Sequence, residues 1–96
     1  MIIRITKSAW SDLDIGYEYY EEKSKGLGRY FSDTIFSEID SLQIYAGIHI
    51  KIQNHYRFLV KKFPFAIYYT IENDIVFIDA ILDCRLNPAS IDERLI

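Results

Sequence analysis

The spacing of apolar positions changes period halfway along the 96-residue chain. At the start, Ile2, Ile3 and Ile5 are β-branched residues in a short run and predict a first strand over residues 2–6. Ser8 then offers a hydroxyl suited to cap a helix, and Asp12 and Asp14 follow near the helix's positive end. Trp10, Leu13, Tyr17 and Tyr20 recur at helical intervals, so a helix is expected over residues 8–24 with these four on its buried face. Gly26 and Gly28 interrupt the pattern. Leu27, Phe31, Ile35, Ile39 and Leu42 then mark a second helix, ending near Tyr45-Ala46-Gly47. The connection is short enough that the two helices must fold back on each other as an antiparallel hairpin.

Beyond Gly47 the period becomes two. Ile48, Ile50 and Ile52 alternate with His49, Lys51 and Gln53, which predicts an extended segment with the isoleucines on its buried face. Asn54-His55 reads as a turn and Arg57–Lys62 as the next strand, with Pro64 at a strand boundary because it has no amide to donate. Residues 65–72, FAIYYTIE, form a strand of strong β-formers. Asn73-Asp74 is a two-residue hairpin turn that tolerates positive φ, and residues 75–82, IVFIDAIL, are a nearly all-apolar central strand. Its one charge, Asp79, is expected to point away from the helices. Residues 88–96 are read as a short terminal helix. The order is strand, helix, helix, then three or four strands joined by short turns. This implies one α+β domain over residues 1–96, with a helical hairpin on one face of a mainly antiparallel sheet and the first strand beside the last.

Composition narrows the class. Half of the residues are hydrophobic and 26% are charged, the mix of a folding chain. No apolar run is long enough to span a bilayer and the first residues do not read as a signal peptide, so a cytoplasmic protein without a membrane partner is expected. Cys84 is the sole cysteine, and no short histidine or carboxylate spacing suggests a metal; no cofactor is expected. The net charge of −3 is unlike that of a free-standing nucleic-acid binder. The charge is nonetheless uneven: residues 46–62 hold Lys51, Arg57, Lys61 and Lys62 with no acid, a local +4, together with His49 and His55. An anionic partner should be met there.

Three blocks carry a resemblance. Tyr19-Tyr20-Glu21-Glu22 before the glycine break, residues 57–69 (RFLVKKFPFAIYY) and residues 81–88 (ILDCRLNP) resemble the RelE/ParE-type toxin superfamily of bacterial type II toxin–antitoxin systems. Length and element order agree with it across almost the whole chain. The resemblance implies the α+β fold already read, and a cognate antitoxin that wraps an extended and helical segment around the toxin in a hetero-oligomer. It also implies one of two activities: inhibition of DNA gyrase, as in ParE-like members, or messenger-RNA cleavage, as in RelE-like ones. The family's closing motif often reads His-x-Arg-Arg-x-Pro. Here Asp83 stands at the histidine position and Leu86 at the second arginine, while Arg85, Asn87 and Pro88 remain.

Metal-free cleavage of a phosphodiester needs a base, cationic stabilisers and an acid. The candidates are Arg57, Lys61 and Arg85 as phosphate stabilisers, His55 or Asp83 as base, and Tyr68 as acid. Arg57 and Lys61, four apart on one expected strand, would share a face with Arg85 and meet either phosphate or an acidic antitoxin tail. Nothing local places a carboxylate beside His49 or His55, which read as solvated loop residues. An aspartate is a weak base at neutral pH, and a neighbouring Arg85 weakens it further, so Asp83 is expected to form an ion pair. One of Tyr68 and Tyr69 should be core and the other could stack on a base or donate a proton, with packing the favoured reading of both. The acidic charge and the incomplete closing motif favour a growth-arresting gyrase inhibitor. The alternative is a small metal-independent nuclease cutting messenger RNA or DNA, and a non-toxic, antitoxin-binding member is the third.

Overall fold

In the computed structural model, which describes residues 1–96, the elements are β1 (Ile2–Ile5), α1 (Lys7–Lys23), α2 (Leu27–Tyr45), β2 (Ile50–Ile52), β3 (His55–Leu59), β4 (Phe65–Glu72), β5 (Ile75–Asp83) and α3 (Pro88–Leu95). The five strands form one mixed sheet in the order β1-β5-β4-β3-β2. β1 runs parallel to β5, and every other pairing is antiparallel. The sheet thus has one strand more than a four-stranded reading allows, because the short β2 pairs with β3.

The helical hairpin covers one face. α2 buries the expected stripe of Phe31, Ile35, Ile39 and Leu42, with Leu27 half-buried at its start. In α1 the buried face is turned from the expected one: Ala9, Asp12, Leu13, Gly16 and Tyr20 are buried, while Trp10 and Tyr17 stay largely exposed. Trp10 instead rests against Phe36 of α2, with ring centroids 5.7 Å apart, on the outside of the hairpin. Aromatic residues amphipathic enough to sit at a rim satisfy a helical period without being core. Thr6, not Ser8, caps α1, its hydroxyl accepting from the Ala9 amide at 3.2 Å. Asp12 and Asp14 consequently lie beyond the first turn.

The hairpin is closed by Glu21. Its carboxylate accepts from the amides of Gly26 (3.0 Å) and Gly28 (3.0 Å), two free donors at the start of α2. Gly26 has φ +88°, and a Cβ on Gly28 would lie 2.6 Å from the Tyr17 carbonyl, so the helices touch where only glycine fits. Beneath them Tyr20, Phe31, Phe63 and Phe65 pack with centroids 4.8 to 5.1 Å apart, mostly edge to face.

β4 spans the residues expected of it, and Asn73-Asp74 forms the tight turn to β5 with φ of 49° and 64°. The preceding hairpin turn is Gln53-Asn54, with φ of 52° and 63°, so His55 opens β3 and is not part of a turn. β3 also ends earlier than expected, at Leu59. The Val60 amide donates to the Phe65 carbonyl at 2.9 Å, closing a bend that contains Lys61, Lys62 and Pro64. Lys61 therefore does not share a strand face with Arg57.

The second sheet face carries a smaller cluster of Ala66, Tyr68, Ala80, Leu82 and Leu95, covered by α3. Asn87 caps this helix through the Ala89 amide at 2.8 Å, followed by Pro88 in its first turn. Arg94 locks it down, with Nη1 and Nη2 donating to the Asp12 carboxylate at 2.6 and 2.8 Å. The other Asp12 contact is the Ile81 amide at 3.0 Å, so one buried side chain joins α1, β5 and α3.

The isoleucines of the β2 segment are the largest departure from the pattern. Ile48, Ile50 and Ile52 are 73%, 77% and 38% exposed, while His49 between them is half-buried. β2 is one of the two edge strands, and the main hydrophobic cluster draws no residue from it. Its apolar side chains line an open groove of about 350 Å³ with Arg57, Phe58 and Leu59.

Candidate functional site

The sequence candidates collect on the second sheet face and at the end of β5. In β3, Tyr56 and Phe58 pack toward the main core, so His55, Arg57 and Leu59 face the other way. Arg57 lies across Tyr68, its Nε donating to the Tyr68 hydroxyl at 3.3 Å and Nη2 approaching Cys84 Sγ at 3.8 Å. The phenol hydroxyl favours the charged guanidinium and raises its pKa above the usual arginine value. Both Tyr68 and Tyr69 are buried, at 2% and 0% exposure, Tyr69 in the main core and Tyr68 under α3. Neither is free to stack on a base.

A bulge sets the next contact. Tyr68 pairs with Ala80 and Tyr69 with Ile78, leaving Asp79 as the extra residue of β5. Asp79 points away from the hairpin, as expected. It accepts from Thr70 Oγ1 at 3.1 Å and faces His55 Nε2 at 3.4 Å. A carboxylate does stand beside His55, then, 24 residues away in sequence and reached across the intervening strand β4. The other ring nitrogen of His55 meets the Gln53 carbonyl at 2.9 Å, so both nitrogens are engaged. His49 is no solvated loop residue either: its ring stacks on Phe58 with centroids 4.4 Å apart.

Arg85 has separate surroundings. It folds back on Asp83, with Nη2 to Oδ2 at 2.6 Å and Nε to Oδ1 at 2.9 Å, and the Arg85 amide also donates to Oδ1 at 2.8 Å. This is the expected ion pair. Arg85 holds the Asp83 carboxyl below the usual aspartate range, and Asp83 in turn raises Arg85 further. Lys23 and then Arg85 pull the Tyr19 hydroxyl below its ordinary pKa. Asp83 and Cys84 are consecutive and face opposite sides, so Arg85 belongs to the α1 side and Arg57 to the α3 side. The single cationic patch expected of Arg57, Lys61 and Arg85 is divided: Arg57 on the sheet, Lys61 in the bend after β3, Arg85 at the end of β5.

For phosphodiester chemistry this geometry supplies cations more readily than a base. Asp83 is committed to Arg85, Tyr68 is buried beneath Arg57, and His55 is held at Nδ1 by the Gln53 carbonyl with its Nε2 3.4 Å from Asp79. No group of three or more histidine, cysteine or carboxylate side chains is placed to hold a metal ion. The Asp12–Arg94 pair, 82 positions apart, and the His55–Asp79 pair have no local sequence signal. The Glu21 cap had one, an acid shortly before a Gly-x-Gly break.

The architecture is a two-layer α+β domain: a helical hairpin over a five-stranded mixed sheet, with a terminal helix on the opposite face. No family model matches the chain, and no curated protein matches it in sequence. Among solved structures it is similar to the chromosomal ParDE toxin–antitoxin system from P. aeruginosa, with a TM-score of 0.77 and 20% identity, covering 84% of this chain and 92% of that chain. The chain shares the fold of that ParDE structure.

Proposed function

We propose that this chain is the toxin of a type II toxin–antitoxin pair, that it acts in the cytoplasm, and that it arrests growth by binding and inhibiting DNA gyrase. The observation that carries the reading is the fold shared with the ParDE system across 84% of the chain. The gyrase mode is favoured over cleavage by the closing motif, where Asp83 replaces the histidine and is tied to Arg85 by a 2.6 Å contact. A cognate antitoxin neutralises it by wrapping around the domain, so that its acidic residues meet Arg57, Lys61 and Arg85 at their separate places, the cations that also serve the target. Induced expression without the antitoxin should stop growth, and co-expression of the antitoxin should restore it. Charge reversal in the Arg57→Glu, Arg85→Glu double variant should weaken both toxicity and antitoxin affinity. Unchanged affinity by calorimetry would reject the shared surface.

A nuclease is the second reading. The observation favouring it is the His55–Asp79 pair at 3.4 Å on the same face as Arg57, a base-and-cation grouping. Cleaved transcripts from arrested cells, lost with His55→Gln, would establish it.

A further inference from the structure

The hydroxyl of Tyr69, at the centre of the sheet, reaches the segment that leaves α2. It accepts from the Gly47 amide at 2.9 Å and lies within hydrogen-bond distance of His49 Nδ1. A phenol that accepts from an amide has one proton to give, and Nδ1 is the acceptor it meets. The bonding thus assigns the neutral imidazole with its proton on Nε2. The ring is held on two sides, stacked on Phe58 at 21° and edge-on to Tyr69 with centroids 5.6 Å apart. His49 therefore ties the start of the β2 edge to β3 and β4, and it lines the groove of Ile48, Ile50, Ile52 and Leu59.

A proton added at Nδ1 would break this arrangement. The hydroxyl would face two donors, the Gly47 amide and the imidazolium, and its own proton would have no acceptor in a buried site. The titratable and charged groups around this corner are Tyr45 at the end of α2, Lys51 on β2, Tyr56 and Arg57 on β3, and Tyr69 on β4. The carboxylate on this side is Glu72 on β4, which shares a cleft with Lys51 and Tyr56 and makes no hydrogen bond or ion pair with His49. Burial lowers the affinity of His49 for a proton below that of an ordinary histidine.

We propose that His49 is a pH-operated latch on the β2 edge. As the neutral imidazole it pins residues 47–50 to the sheet through Tyr69; as the imidazolium it releases them, so that the groove they line loses one wall. The unfolded chain takes up this proton near pH 6.5 and the closed form resists it, so the open form binds more protons. The latch is therefore fully effective above about pH 6.5 and is lost as pH falls below that value.

Native-state hydrogen exchange of the whole chain by NMR, corrected for intrinsic rates, tests this between pH 7.5 and 5. The amides of Gly47 and of β2 should lose protection by up to about tenfold per pH unit below about pH 6.5, levelling off where the His49 ring resonance itself titrates. His49→Asn, which offers an acceptor that does not titrate, should hold protection constant, and His55→Gln should leave the pH dependence in place. Protection at Gly47 that is independent of pH, or a loss that survives in His49→Asn, would overturn the latch. If His49→Asn does not fold, the parent protein decides: a loss that follows the His55 resonance refutes the assignment.

Discussion

Replacing Arg94 by methionine removes the guanidinium that holds α3 to the body of the domain and keeps most of its aliphatic volume. The Asp12 side chain it leaves is 6% exposed, and that carboxylate would keep one donor, the Ile81 amide at 3.0 Å. Breaking a fully buried pair costs about 3–5 kcal/mol, and an exposed pair is worth about 0–1 kcal/mol. The Arg94 side chain is 36% exposed, so water reaches part of the site and the cost should be about 2–3 kcal/mol. For a domain of this size that is roughly 8–24 °C in Tm, out of a total stability of about 5–15 kcal/mol. Asp12→Asn keeps an acceptor for the Ile81 amide and loses the charge. Urea melts of both single variants and the double variant should give a coupling of about 1.5 kcal/mol or more. Exchange protection should fall first in α3. An Arg94→Met protein within about 0.5 kcal/mol of the parent, or single effects that simply add, would refute the claim that this pair secures the second face.

Gly28→Ala should cost about 1–3 kcal/mol in a urea melt, because the new Cβ would sit 2.6 Å from the Tyr17 carbonyl and backbone cannot yield as a side chain does. Stability should fall as pH drops below the ordinary aspartate range. Asp83 is held below 3.8 by Arg85 and its unfolded form is not, so its contribution is complete above that value and vanishes beneath it. Asp83→Asn should flatten that acid limb in melts between about pH 5 and pH 2. Ile50→Lys, at a position 77% exposed, should change stability by less than about 0.5 kcal/mol while raising solubility.

What the sequence revealed and what it hid divide along physical lines. α2, β4 and the Asn73-Asp74 turn were legible because one strong local signal dominates each: an unbroken apolar stripe, a run of β-formers, a pair of residues tolerant of positive φ. β2 misled because alternation reports two different faces, not whether either is covered, and at this edge of the sheet both stay exposed. α1 misled because tryptophan and tyrosine fit both a core and a rim. The candidate site was legible only where partners are close in sequence, as with Asp83 and Arg85. His55–Asp79 depends on a bulge, and Asp12–Arg94 on a helix that returns to the opposite end of the chain. Length and spacing contain no record of either.

The central claim is that the chain stops growth by binding gyrase. A supercoiling assay with purified gyrase, relaxed plasmid and the purified chain measures this directly, with cognate antitoxin added in a parallel series. The account predicts dose-dependent loss of supercoiling, restored by stoichiometric antitoxin and weakened in the Arg57→Glu, Arg85→Glu variant. Full supercoiling at a large excess of a chain that still arrests growth in cells would contradict it.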